Sequence, residues 1–179
     1  PVPMDDGLSE IVADDAEGVE KETEEEKATR LAEEKAELER LKSIVVPPGD
    51  YQIQVHIIEC RDIKPEDLDG LSDPVVYVTC FDDVRHTAVH RQCTGCTFDQ
   101  TLFFNIKDLD REMFEAGEIK ISLFDADTFS RNDLVGSYTF DAMWVFYQKN
   151  REVYRQWVGL VAERNPADKG IQGYLQVSI

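Results

Sequence analysis

The sequence predicts an all-β fold, an eight-stranded antiparallel sandwich preceded by an acidic helix and interrupted by a short inserted helix near 141–152. Three observations predict it. Tyr51, Ile53, Val55 and Ile57 alternate with Gln52, Gln54 and His56, the period-two pattern of a strand with one buried face. Seven further short segments follow, at 75–81, 85–92, 101–106, 118–124, 134–140, 156–161 and 173–179. Turn-rich loops separate them, which is the organisation of an antiparallel sandwich rather than of a helix-alternating parallel sheet.

Taken in order, residues 1–20 are acidic, poor in large apolar groups and punctuated by Pro1, Pro3, Gly7 and Gly18. That composition cannot offset the entropy of ordering the backbone, so disorder is expected. Residues 21–46 are mostly good helix formers, with Glu26 and Arg30 at supporting i,i+4 spacing. Ala28, Leu31, Leu38, Leu41 and Val45 form an apolar stripe broken by Glu34. The stripe is shorter than the three to four heptads of a convincing coiled coil, leaving a solvated helix or a helix over 22–45 that docks on a protein partner. Pro47 and Pro48 supply no amide donors and, with Gly49, make 47–50 a linker. The sandwich then fills 51–179. Leu102, Phe104 and Ile106 alternate, as do Ile119, Ile121 and Leu123. At Asp141 the alternation stops, and an Asp opening such a stretch is a helix N-cap.

Acidic residues number 37 against 19 basic, for a net charge of −18. The charge divides evenly, −9 up to residue 43 and −9 beyond it. Such a surface repels nucleic acid and anionic lipid alike, so nucleic-acid binding is excluded and lipid binding requires an intervening cation. There is no apolar run of membrane-span length and no secretory leader. A chain opening on Pro1 rather than Met is expected to be a segment of a longer protein, in which an anchor can lie elsewhere. Cys60, Cys80, Cys93 and Cys96 are too few for a disulfide scaffold, and reduced, cytosolic thiols are expected.

Two inter-strand loops carry the chemistry. The first contains Asp67, Leu68, Asp69, Gly70, Ser72, Asp73 and Pro74; the second contains Asp125, Ala126, Asp127, Phe129, Ser130, Arg131 and Asp133. Loops after alternate strands of a sandwich emerge at one end, so the two can converge. Calcium takes six to eight oxygens, whereas neither loop offers sulfur or imidazole for zinc. Two carboxylates about 4 Å apart repel by roughly 4 kcal/mol at an effective dielectric near 20, so a cluster of five calls for a cation. Aspartates also serve as turn formers without any metal, a reading strong for either loop alone and weak for both together.

On these residues the sequence resembles the C2 domain family. Ser72-Asp73-Pro74, with Asp67 six residues before Asp73, is similar to the first calcium loop of C2 domains, and Asp125-x-Asp127-x-Phe129-Ser130-x-x-Asp133-Leu-Val-Gly136 to the third. The resemblance implies Asp67, Asp73, Asp125, Asp127 and Asp133 as side-chain calcium ligands. It adds Leu68 and Ala126 as backbone-carbonyl donors and Ser130 as an assisting ligand. The close Gly173-Tyr-Leu-Gln-Val-Ser-Ile179 resembles the last strand of the type II topology of phospholipase-like C2 domains. Phe98 to Ile106, Tyr154 to Leu160 and the Gly-Tyr-Leu close look most like a C2 domain of the ferlins, multi-C2 proteins of vesicle fusion, exocytosis and membrane repair.

The implied function is calcium-dependent docking on anionic phospholipid membranes, with Leu68 and Phe129 at the loop tips entering the lipid and Arg131 contacting phosphate. Either tip can instead fold back on the domain. The implied location is cytoplasmic and peripheral to membranes, in a parent protein that is tail-anchored. The rival is a calcium-independent protein-interaction scaffold. Cys93-x-x-Cys96, with His86 and His90 upstream, invites zinc, but two histidines about 13 Å apart along a strand do not share one ion. The sequence holds no nucleophile elbow or phosphate loop, and no enzyme is expected.

Overall fold

A computed structural model of the chain describes residues 23–64, 71–126, 132–162 and 170–179. The chain divides into two units, residues 1–43 and 44–179. In the first, helix α1 (Glu24–Ser43) opens on a capping box. The Glu26 amide donates to Thr23 Oγ1 at 3.3 Å while Glu26 Oε2 accepts from the Thr23 amide at 2.8 Å, satisfying amides that a helix start leaves unpaired. Three intrahelical ion pairs follow, Lys27–Glu24, Arg30–Glu34 and Arg40–Glu37. None of its side chains is buried, so α1 is held by capping, pairing and propensity.

Near the start of the second unit Val46 is buried beside Leu109 and Phe114, while Tyr51 Oη donates to the Pro47 carbonyl at 2.6 Å. The residues before the first strand are therefore packed against the sandwich. Strands β1 (Gly49–Arg61), β2 (Pro74–Cys80), β3 (Asp83–His86), β4 (Cys96–Leu109), β5 (Glu118–Asp125), β6 (Asp133–Asp141), β7 (Gln156–Val161) and β8 (Ile171–Ser178) run in the order β3-β2-β5-β6-β7-β8-β1-β4. Every pairing is antiparallel. Among the described residues the ladder joins the two halves of the sheet at Ser137 opposite Val161. Gly136 makes that crossing possible, because a Cβ there would lie 3.1 Å from Leu160. The final strand sits between β7 and β1, the placement expected of the type II topology.

Alternation generates the core. Val55 and Ile57 of β1, Val76 and Val78 of β2, Phe104 of β4, Ile119, Ile121 and Leu123 of β5, and Leu175 and Val177 of β8 are essentially inaccessible. Each such aliphatic or aromatic side chain contributes about 1.5–3 kcal/mol on leaving water. A second cluster closes the end of the sandwich where β1 starts and β4 finishes. Helices α2 (Arg111–Ala116) and α3 (Ala142–Tyr147) supply Phe114, Ala142, Met143 and Phe146 to it. Asp141 caps α3 as expected, its Oδ1 accepting from the Trp144 amide at 2.7 Å. The inserted segment is this short helix followed by a 3-10 turn at Lys149–Arg151, with Asn150 at φ 59 breaking it.

Two features depart from the sequence-based expectation. Helix α2 was not anticipated, although Asp110 caps it by accepting from the Met113 amide at 2.9 Å and Gly117 ends it. The strand expected over 85–92 stops at His86. Thr87 turns the chain there, its buried hydroxyl accepting from the Val76 amide at 3.1 Å and its own amide donating to the Val76 carbonyl. Residues 87–95 then run as a loop to the far end of the sandwich.

Candidate functional site

Four connections leave the end of the sandwich opposite α2 and α3: β1 to β2, β3 to β4, β5 to β6 and β7 to β8; the first three carry the candidate residues. Strand register sets this convergence. Pro74 at the start of β2 pairs with Asp125 at the end of β5, and Asp125 in turn pairs with Asp133 at the start of β6. An isolated bridge joins Ser72 to Cys93, with the Cys93 amide donating to the Ser72 carbonyl at 2.9 Å. Residues 52 positions apart in sequence are thus set side by side.

Asp73 and Asp125 lock the first and third connections reciprocally. The Asp73 amide donates to Asp125 Oδ1 at 2.6 Å, and the Ala126 amide donates to the Asp73 carbonyl at 2.9 Å. The second connection closes on the other side of Asp73. Its Oδ1 accepts from the Gln92 amide at 2.8 Å, and its Oδ2 pairs with the Arg91 guanidinium at 3.2 Å. Gln92 is held at φ 55, a left-handed conformation costly for a side chain of its size, and its bond to Asp73 helps maintain it.

The second carboxylate oxygen of Asp125 differs from these. Asp125 is only 5% exposed, and among the described residues its Oδ2 has no hydrogen-bond partner. An unpaired charged oxygen out of water is among the most costly groups a fold can hold. Ser72 Oγ, one residue before Asp73, is likewise buried without a partner. Asp133 is exposed opposite Asp125. The donors gathered here are therefore hard oxygens with lone pairs to spare, and they fit a hard divalent cation.

Among the sequence-derived candidates, Asp73, Asp125, Ala126 and Asp133 come together at this end. Asp67, Leu68, Asp127, Phe129, Ser130 and Arg131 lie outside the described residues. Among the described residues no three His, Cys, Asp or Glu side chains by themselves form a metal-binding group. Arg91 was not singled out as a site residue by sequence, since its meeting with Asp73 depends on the path of the 87–95 loop.

The histidines and cysteines of the same region separate. His86 lies against Tyr77 and His90 against Phe98, each pair with ring centroids 5.0 Å apart. Cys93 and Cys96 instead approach Cys60, whose Sγ is 3.5 Å from that of Cys96. Sequence spacing pointed to the Cys93-x-x-Cys96 pair alone and missed the third thiol, which is 36 positions from Cys96.

A family model described as the C2 domain matches residues 51–160. Ferlin 2 of Tetrahymena thermophila is 33% identical over 134 residues, covering 72% of this chain and 8% of that protein. Human Synaptotagmin-3 is 32% identical over 98 residues, 52% of this chain and 16% of its own length. The chain thus spans less than a quarter of the curated relatives it matches. A C2 domain of plant Extended Synaptotagmin 1 superposes with a TM-score of 0.55 at 16% identity, over 74% of this chain and 94% of that one. The calcium-bound pair of C2 domains of Extended-Synaptotagmin 2 gives 0.55 at 23% identity, over 75% and 46%. At these identities the structures establish a shared fold.

Proposed function

The chain belongs to the C2 domain family, and from that premise we propose that it is a calcium-binding module that docks on anionic phospholipid surfaces, within a multi-C2, ferlin-like protein of membrane trafficking. The observation that carries the reading is the buried Asp125 Oδ2, which has no partner among the described residues, beside the reciprocal Asp73–Asp125 lock. Asp73, Asp125 and Asp133 would hold the cation, joined by Asp67 and Asp127, with Leu68 and Ala126 carbonyls and Ser130 completing the shell. When bound, calcium supplies positive charge and coordination positions open to phosphate or carboxylate oxygens of a lipid headgroup.

The chain's own residues set the response. The Asp73 and Ala126 amides fasten the bases of the first and third connections to each other before any ion arrives. Charge decides direction: with −18 overall the chain is repelled by an anionic bilayer until its loop end is neutralised. Leu68 and Phe129 would then enter the headgroup boundary and Arg131 would meet phosphate. No described helix is long and apolar enough to cross a membrane.

The competing reading is a calcium-independent scaffold in which α1 takes a protein partner, favoured by the exposed Leu31 and Leu38 on that helix. Calorimetry with calcium, together with sedimentation on phosphatidylserine-containing vesicles, separates the two. Wild type is expected to take up calcium and to sediment only in its presence, and Asp125→Asn/Asp127→Asn to do neither. Equal sedimentation of both proteins in chelator would overturn the calcium-dependent reading.

A further inference from the structure

Cys60 ends its run of β1 directly opposite Cys96, the first residue of β4, as register partners of an antiparallel pair. Opposed residues in such a pair project from the same face with Cα atoms about 4.5–5.5 Å apart, within the about 4.4–6.8 Å that a disulfide spans. The two sulfurs are already 3.5 Å apart. Gly95 brings the turn onto β1, since a Cβ there would lie 3.0 Å from the Cys60 carbonyl oxygen. The Ile63 amide donates to the Thr94 carbonyl at 3.1 Å and holds the two chains together on the other side. The pair is therefore aligned by backbone on both flanks.

We propose that Cys60 and Cys96 form a dithiol site that takes a hydroperoxide as co-substrate and closes to a cross-strand disulfide. This proposal is independent of the calcium reading. The shared hydrogen bond between the thiols lowers Cys60 below the ordinary thiol value, because the Cys96 S–H stabilises its thiolate, and raises Cys96 correspondingly. Cys60 is then the attacking sulfur. Its lone pair takes the terminal peroxide oxygen, the O–O bond breaks, and the product is a sulfenic acid plus water or an alcohol. The Cys96 sulfur next displaces that oxygen, which leaves as water with the Cys96 proton, and the S–S bond forms. Two thiols lose two electrons and two protons, and the peroxide is reduced.

Cys60 is 1% exposed and Cys96 is half-buried, so the pair meets solvent from the Cys96 side. Cys80 has no thiol partner and is pushed up to about 12 by burial and by Asp83, which leaves it inert. Cys93 approaches Cys96 from the turn and is the competing partner.

Full-chain protein is treated with hydrogen peroxide, quenched by alkylation and analysed by intact mass and peptide mapping. The expected product is one chain lighter by roughly 2 Da before alkylation, with Cys60 and Cys96 unalkylated and found in linked peptides, reverted by dithiothreitol. Cys93→Ser is expected to form it at an unchanged rate, and Cys96→Ser not at all. Should Cys93→Ser abolish the bridge, or wild type map to Cys93–Cys96, the assignment is overturned. Gain of oxygen without loss of two hydrogens, or links only between chains, overturns it as well. The mapping of wild type and of Cys93→Ser leaves both proposed sulfurs intact, so the test does not depend on a core cysteine variant folding.

Discussion

Replacing Asp125 by Asn is expected to raise the stability of the calcium-free chain while removing its response to calcium. The asparagine oxygen keeps the acceptor that Asp125 Oδ1 presents to the Asp73 amide at 2.6 Å. What changes is Oδ2, a buried charged oxygen with no partner among the described residues. An uncharged NH2 group there lowers the like-charge repulsion with Asp133, its register partner, and with Asp73, whose amide Asp125 accepts. A carboxylate pair about 4 Å apart repels by roughly 4 kcal/mol at an effective dielectric of 20; screening at the loop end leaves a net gain on the order of 1 kcal/mol. For a sandwich of this size that is about 3 °C in melting temperature. With calcium a hundredfold above its Kd, one site stabilises wild type by about 2.7 kcal/mol, roughly 8 °C, and Asp125→Asn by none. Differential scanning calorimetry in chelator and in calcium therefore should show the order of stabilities reversing between the two buffers. If Asp125→Asn melts well below wild type in chelator, the buried oxygen is satisfied by protein groups and the argument from it fails.

Arg91→Ala removes the guanidinium that pairs with Asp73 Oδ2 at 3.2 Å, a half-exposed pair worth about 0.2–1 kcal/mol, so calcium should bind up to about fivefold more tightly by calorimetry. A loss of affinity would mean that Arg91 orders Asp73 rather than competing for it. Gly117→Ala puts a Cβ 2.4 Å from the Phe81 ring and is expected to cost about 1–3 kcal/mol in urea unfolding, with the calcium response intact. Cys80, raised to about 12 chiefly by burial, holds its proton in the folded chain above pH 8.5 where the unfolded chain releases it. Stability therefore falls as pH rises from about 8.5 toward 12, and iodoacetamide should label Cys80 only on unfolding.

How much of this was legible in the sequence follows from the range of each interaction. Alternation is local, and it located β1, β4 and β5 because their inward residues, from Val55 to Leu123, repeat every second position. Asp141 was legible as a cap because a helix start needs an acceptor within three residues. The same logic applies to Asp110, but α2 is only six residues long and presents just Phe114 to the core, too little for a periodic signal. The strand expected over 85–92 failed because Val89 and its neighbours alternate acceptably, while the bond that ends β3 comes from Val76, eleven residues away. At the site, aspartate spacing pointed to both loops, yet neither the Arg91 contact nor the approach of Cys60 to Cys96 has a sequence signature. Both depend on how the 87–95 connection crosses the sandwich end.

That connection gives the loop end a structural logic of its own. It is fastened at Thr87 by the β2 backbone, at His90 by the Pro74 carbonyl, at Gln92 and Arg91 by Asp73, and at Cys93 by Ser72. Asp73 consequently accepts from the second connection through its carboxylate, donates to the third through its amide and accepts from it through its carbonyl. Each Asp73 carboxylate oxygen carries one of these bonds and keeps a further lone pair, so under the proposed calcium reading the ion would share Asp73 with Gln92 and Arg91. Ion binding there and the placement of 87–95 would then be linked, and by reciprocity anything that restrains 87–95 would change the affinity for the ion. Among the described residues Asp125 Oδ2 carries no such bond, so under the proposed calcium reading it would coordinate without giving one up, whereas Asp73 would share its oxygens with Gln92 and Arg91.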